Sequence, residues 1–244
     1  MVCKFRVRFQ KTGLLRLVSH HDLMRAFERM LRRAALPFRS TSGFHPKPRI
    51  VFALSLPLGV VGLDEIVELE LTEDISAEEV LERLKRQCPA GLDLLSICEI
   101  PLSSTAQVNR AVYCLHVPPE REAALREHCI SLLASAECWI ERRRPDPKKV
   151  NIRPYILDLR IEFEVLEIDL RVTPTGSARA DEVVQQLGCG DLLDAGAVLE
   201  RTKLSLIEEN IPVSSPRSIS PIRPKRPMST ADEGLLTAQQ GNTK

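Results

Sequence analysis

Twice along the chain the apolar residues switch from period two to period 3.6 and back, in the same order. Residues 4–9, KFRVRF, put Phe5, Val7 and Phe9 on one side and Lys4, Arg6 and Arg8 on the other. That is the pattern of a half-buried strand whose open face is positive. A turn at Thr12-Gly13 leads into LLRLV, read as continuing or pairing this strand. In SHHDLMRAFERMLRRAAL, Ser19 with Asp22 three residues on is a capping-box-like helix start, and Pro37 ends the helix. At 100° per residue Leu23, Phe27, Met30, Leu31 and Ala34 share a stripe, and Arg25, Arg29, Arg32 and Arg33 lie opposite. Strands at IVFALSLPLG and DEIVELELT, a helix at VLERLKRQC behind Ser76 and Glu79, and a strand at LDLLSICEI complete the order by about residue 100. This β-α-β-β-α-β order is the ferredoxin-like arrangement.

After the linker PLSSTAQ the order repeats. A strand near 108–117 precedes a helix opening at Pro119, with Leu125, Cys129, Leu132 and Leu133 inward. Then come the strand ECWIERRR, the loop PDPKK, a hairpin across 154–173, the short helix ARADEVVQQLG closed by Gly188, and a last strand LERTKLSLI. The expected fold is α+β, two tandem ferredoxin-like halves. The boundaries are 1–101 for a basic N-terminal domain, 108–207 for the second, and 208–244 for a disordered tail. In that tail Pro212, Pro216, Pro221, Pro224 and Pro227 are interspersed with Ser and Arg, without an apolar period.

Charge is unevenly divided. Residues 1–50 carry 12 Lys/Arg against Asp22 and Glu28, whereas the whole chain of 244 residues has a net charge of only +1. Such a separation points to a polyanionic partner at one end of the molecule. The seven cysteines are widely and irregularly spaced, which excludes zinc-ribbon, redox and iron–sulfur signatures and suits reduced thiols in a cytoplasm. No run approaches the ~18 apolar residues of a membrane helix, and the charged start is unlike a signal peptide. The expected location is cytoplasmic, with no membrane partner.

Between positions 39 and 49 the chain reads RSTSGFHPKPR. Proline fixes φ and biases the residue before it to extended geometry, so His45, Lys47 and Arg49 are expected on one side of a stiff rod. Together with Arg6, Arg8, Arg25, Arg29, Arg32 and Arg33 they make the candidate phosphate-binding surface. His20 has two readings. It is either a helix-start histidine donating to a backbone carbonyl, or a general acid/base. Asp22 reads as a cap. A metal site from His20, His21 and His45 is opposed by the 100° splay of adjacent helical side chains. No metal or cofactor is expected, and no Gly-rich phosphate loop or nucleophile elbow appears.

RLVSHHDLMRAFERMLRRAALP and SGFHPKPRIVFALSLPLGV, with VNIRPYI, GSARADEV and LERTKL further on, resemble the radical-SAM-linked protein family, over roughly residues 3–207. Its members are encoded beside, or fused to, a radical SAM enzyme that often carries a B12-binding region. They usually have leucine where His21 stands, so His21 gains no weight from the likeness. The resemblance implies a radical SAM partner and no particular activity. The favoured reading is a non-catalytic accessory protein that binds structured RNA, such as tRNA or rRNA. Two alternatives stay open: a metal-independent endoribonuclease using His20, or a protein–protein adaptor for the radical SAM enzyme. The endoribonuclease reading rests on an outline likeness to CRISPR-repeat-processing enzymes, whose C-terminal Gly-rich loop this chain lacks.

Overall fold

The computed structural model describes residues 2–42, 46–143 and 147–210, without the side chains of 209 and 210. These fall in one compact unit, Met1–Ile211. The tail expected to be disordered lies outside the described residues from 211 onward. The chain is a mixed α+β structure built on one large sheet.

Its first half runs β1 (Cys3–Lys11), α1 (His20–Arg33), β2 (Ile50–Phe52), β3 (Val61–Leu71), α2 (Ala77–Lys85) and β4 (Leu92–Ile100). Both helices begin where the sequence places caps. Ser19 Oγ accepts from the Asp22 amide at 3.2 Å, and Ser76 Oγ from the Glu79 amide at 3.2 Å. Each cap contributes about 1 kcal/mol. The segment LLRLV does not extend β1; residues Gly13–Leu17 form a 3-10 turn. IVFALSLPLG yields strand only at Ile50–Phe52.

The second half runs β5 (Val108–His116), α3 (Pro119–Ala134), β6 (Trp139–Arg142), β7 (Lys148–Asn151), β8 (Ile156–Glu162), β9 (Val165–Thr173), β10 (Gly176–Ser177), α4 (Ala180–Gln186), α5 (Gly190–Asp194) and β11 (Glu200–Leu206). Here the expectation for ECWIERRR is corrected. β6 pairs only with β7, as a two-stranded ribbon apart from the main sheet. The 154–173 hairpin is present as β8–β9. Its turn holds Phe163 and Glu164 at φ 51° and 64°, the left-handed pair that a tight two-residue hairpin requires.

Nine strands make the main sheet, in the path β10-β9-β5-β11-β3-β1-β4, with β2 also on β3 and β8 also on β9. All pairings are antiparallel except β11 with β3. One core packs Phe5, Val7, Phe9 and Leu69 beneath Leu23, Phe27, Met30 and Leu31 of α1. The other packs Tyr113, Leu115, Ile168 and Leu170 against α3 and α4.

The two halves meet at a short seam, where Glu200 and Arg201 pair with Val61 and Gly62. Gly62 is required there, because a Cβ would fall 2.6 Å from Glu65 Cγ. Arg201 is fully buried and locks the seam. Its guanidinium donates to both oxygens of buried Glu65 at 2.7 and 2.5 Å, to the Ser55 and Leu54 carbonyls at 3.1 and 3.3 Å, and to Tyr113 Oη at 3.3 Å. Removing one partner of such a pair strands a buried charge, which costs roughly 3–5 kcal/mol. Arg201→Ala should therefore lower the stability measured by urea unfolding by about 3–5 kcal/mol. The double variant Arg201→Leu with Glu65→Leu should recover part of that loss.

Candidate functional site

The basic residues of positions 1–50 divide into two groups. Lys4, Arg6 and Arg8 were expected on an open sheet face, but that face is sealed. Lys4 and Arg6 are 5% and 8% exposed. Glu68 of β3, wholly buried, takes Lys4 at 2.8 Å and the Arg6 guanidinium at 2.9 Å. It also accepts from the Ala106 amide at 2.8 Å, and Lys4 donates to the Ser104 carbonyl. Arg6 reaches Glu208 at 3.1 Å, and half-buried Arg8 reaches Asp64 at 2.7 Å. The linker after β4 and the turn after β11 thus cover this face with their own polar groups. Period-two alternation distinguishes the two faces of a strand, yet it cannot say that the charged one will be covered too. Arg6 is a buried ion-pair residue, and Arg8 is half-buried in its pair with Asp64.

The second group stays at the surface. Arg25, Arg29, Arg32 and Arg33 are arrayed along α1 opposite its buried stripe. Arg25 has a carboxylate neighbour, Asp22 at 3.2 Å. The Arg32 guanidinium lies 4.9 Å from the ring centre of Phe38, a cation–π distance that holds it at the start of the proline loop. Arg29 and Arg33 have no carboxylate partner among the described residues.

The described arms of the loop, 39–42 and 46–49, pair with each other as two antiparallel strands of chain and do not form a single rod. The Thr41 amide donates to the Lys47 carbonyl and the Arg49 amide to the Arg39 carbonyl, both at 2.8 Å, and Ser40 bridges Pro48. The Lys47 amide also donates to Thr41 Oγ1 at 3.2 Å. Pro48 is buried, so Lys47 and Arg49 on either side of it point outward, as the alternation implied. His45 lies outside the described residues. Arg39 and Arg49 share one carboxylate, Glu70, at 3.1 and 3.3 Å, which leaves a positive charge over. The helix and loop together hold seven cations, Arg25, Arg29, Arg32, Arg33, Arg39, Lys47 and Arg49, with Asp22, Glu28 and Glu70 as the nearby acids.

His20 sits half-buried at the start of α1, its ring edge-on to Phe52 with centroids 5.1 Å apart. Burial holds its pKa below the usual value, and the charges of His21 and Lys11 push the same way. Among the described residues no group of three or more His, Cys, Asp or Glu is placed to hold a metal. Four cysteines, Cys3, Cys129, Cys138 and Cys189, are buried, whereas Cys98 is exposed. Burial raises the Cys88 and Cys129 thiols to about 11, which leaves them unreactive near neutrality.

Sequence reasoning passed over two features. Arg201 forms part of a cleft of about 580 Å³, whose lining includes Leu54, Val60, Tyr113, Ala178 and Leu199. A register shift between Arg201 and Lys203 breaks the strand's parity, so alternation gave no sign that Arg201 turns inward. The other feature is Trp139, 56% exposed on the β6–β7 ribbon. Its being the chain's single tryptophan was the available signal.

A family model described as "Uncharacterized protein conserved in bacteria (DUF2344)" matches residues 4–184. No curated protein matches the chain. Among solved structures, a chain from "Crystal Structure of a Cbf5-Nop10-Gar1 Complex" aligns at 12% identity and a TM-score of 0.39, over 82% of this chain and 48% of that one. The present chain thus spans about half the length of that structure. An "Unknown Protein from Galdieria sulphuraria" aligns at 12% identity and a TM-score of 0.25, over 85% of this chain and 99% of that one. No helix among the described residues is long and apolar enough to cross a membrane.

The imidazole of His20 should titrate below its usual ~6.5 in an NMR pH series, and His21→Ala should move it upward by removing a like charge. Because the folded value is depressed, the stability linked to His20 is present above the unfolded pKa and is lost as pH falls through the folded one. His20→Gln should therefore flatten the loss of stability between about pH 7 and pH 5.

Proposed function

The chain belongs to the DUF2344 family of uncharacterized proteins conserved in bacteria, and we propose that it is a non-catalytic accessory protein binding structured RNA. The RNA-binding surface is the arginine face of α1 with the loop 39–49. The observation that carries this reading is the row of Arg25, Arg29, Arg32 and Arg33 along one helix, three of them, Arg29, Arg32 and Arg33, without a carboxylate partner among the described residues. Duplex RNA is recognised mainly by its shape, its phosphates and its 2′-hydroxyls, for which a row of guanidinium groups is suited. Stacking has little part at this surface: Phe5 and Phe9 are fully buried and Phe38 lies beneath Arg32. The radical SAM enzyme implied by the family resemblance is the partner to which the RNA would be presented.

We read the scaffold beneath this surface as two tandem ferredoxin-like halves joined through one sheet. The spatial orders β4-β1-β3-β2 and β11-β5-β9-β8 support that reading, each with its two helices on the connections between strands. The β6–β7 ribbon is then an insertion in the second half.

Total tRNA or rRNA fragments should bind the purified chain at low salt. Affinity should fall on the order of 10²-fold or more between about 50 and 200 mM salt if four or five phosphates are engaged. Arg29→Ala with Arg33→Ala should weaken binding without altering the fold, and reduce the salt slope by about 2. An absence of binding at low salt, with a nuclease-resistant complex with the radical SAM enzyme, would replace this reading by the adaptor.

A further inference from the structure

We propose that the cleft between the β6–β7 ribbon and α4 binds a nucleotide, an unpaired base with its phosphate, using Trp139 as the stacking platform. The site lies on other elements than the arginine face of α1 and does not depend on it. The cleft measures about 460 Å³, within the ~300–1,000 Å³ usual for ligand sites, and its walls include Trp139, Arg142, Arg143, Arg179, Gln185 and Gln186.

Each wall has a distinct chemical part. The Trp139 indole donates its Nε1–H to Glu137 at 2.7 Å, which fixes the ring and leaves its face as the feature on offer. Arg142 is already spent. It forks onto Glu182 at 2.7 and 2.8 Å and donates to the Ser177 carbonyl at 2.8 Å, pinning the ribbon to α4. Glu182 also accepts from the Arg179 amide at 2.9 Å, so this carboxylate is committed internally, and the second acid of the lining, Glu141, is exposed at the rim. Two guanidinium groups are left over. Arg143 is exposed with no carboxylate among the described residues, and Arg179 approaches Glu182 only at 3.9 Å. These two supply the charge for a phosphate.

Gln185 and Gln186 are exposed at the end of α4 and present amides, the groups that complement the donor–acceptor edge of a base. Gln186 Oε1 accepts from the Cys138 thiol at 3.7 Å. A tryptophan face, amides and the guanidinium groups of Arg143 and Arg179 around one cleft fit a base and its phosphate. A protein partner fits less well, because a tryptophan anchor there needs an apolar surround to exclude water, and this rim is charged.

Trp139 is the chain's single tryptophan, so its emission reports the site directly. Titrating the full chain with a short 5′-phosphorylated single-stranded oligoribonucleotide should quench that emission saturably, and the same sequence as a duplex should not. Trp139→Phe should keep binding, followed by anisotropy of a labelled oligonucleotide, whereas Trp139→Ala should weaken it about tenfold. Arg143→Ala and Arg179→Ala should each weaken it several-fold. Saturation by AMP or UMP alone would identify a free nucleotide as the ligand, and saturation by the oligonucleotide alone would identify a nucleic-acid strand; both support the site. The proposal is overturned if neither probe quenches a correctly folded chain at millimolar concentration. It is equally overturned if the quench is indifferent to Arg143 and Arg179, or if Trp139 is covered only by a protein partner in the absence of nucleotide.

Discussion

The fork of Arg201 onto Glu65 is the contact on which the arrangement of this molecule depends. The two halves meet through a ladder of only two residues and through Leu56, Val60 and Ile66 of the first half, which pack into the core of the second. Arg201 supplements these contacts by reaching β3, β5 and the carbonyls of residues 54 and 55 from a single buried group. A guanidinium suits the position because its planar donors can be satisfied in several directions at once. The cost of burying it is offset only because nearly every donor finds a partner. Lys11 lies close enough to feel the same charges. Burial lowers its pKa and Arg201 lowers it further, while Glu65 opposes them.

The excess of positive charge at the front of the chain has two fates, and Glu68 separates them. Lys4 and Arg6 converge on this one buried carboxylate and are sealed under the linker that comes after β4. The charge remaining at the surface is on the face of α1 and the loop 39–49, where Asp22 and Glu70 neutralise only part of it. The exposed basic surface of positions 1–50 is therefore smaller than the charge count suggests, and lies on one helix and one loop.

Away from that face, the ribbon β6–β7 stands apart from the main sheet and is tied to α4 by Arg142 and Glu182. Trp139 of the ribbon, with Arg143 and Arg179, lines a second polar cleft of different character. The α1 surface offers charge with little accessible aromatic area, whereas the ribbon cleft offers a stacking face within a polar rim. In the proposed reading the first surface holds a folded RNA and the second a single unpaired nucleotide.

Much of this was legible along the chain. The caps at Ser19 and Ser76, the apolar stripe of α1 and the alternation of β3 and β9 are local, since each rests on contacts a few residues apart. Periodicity therefore determined the longer helices and strands, their order and the exposed arginine row. It could not determine partners. Whether Arg6 meets water or Glu68, whether 139–142 joins the main sheet or a ribbon, and whether Arg201 points inward past a bulge all depend on residues distant in sequence. Only the tertiary structure decided those, because a strand's pattern records which face is apolar and carries no information about what is packed over the other.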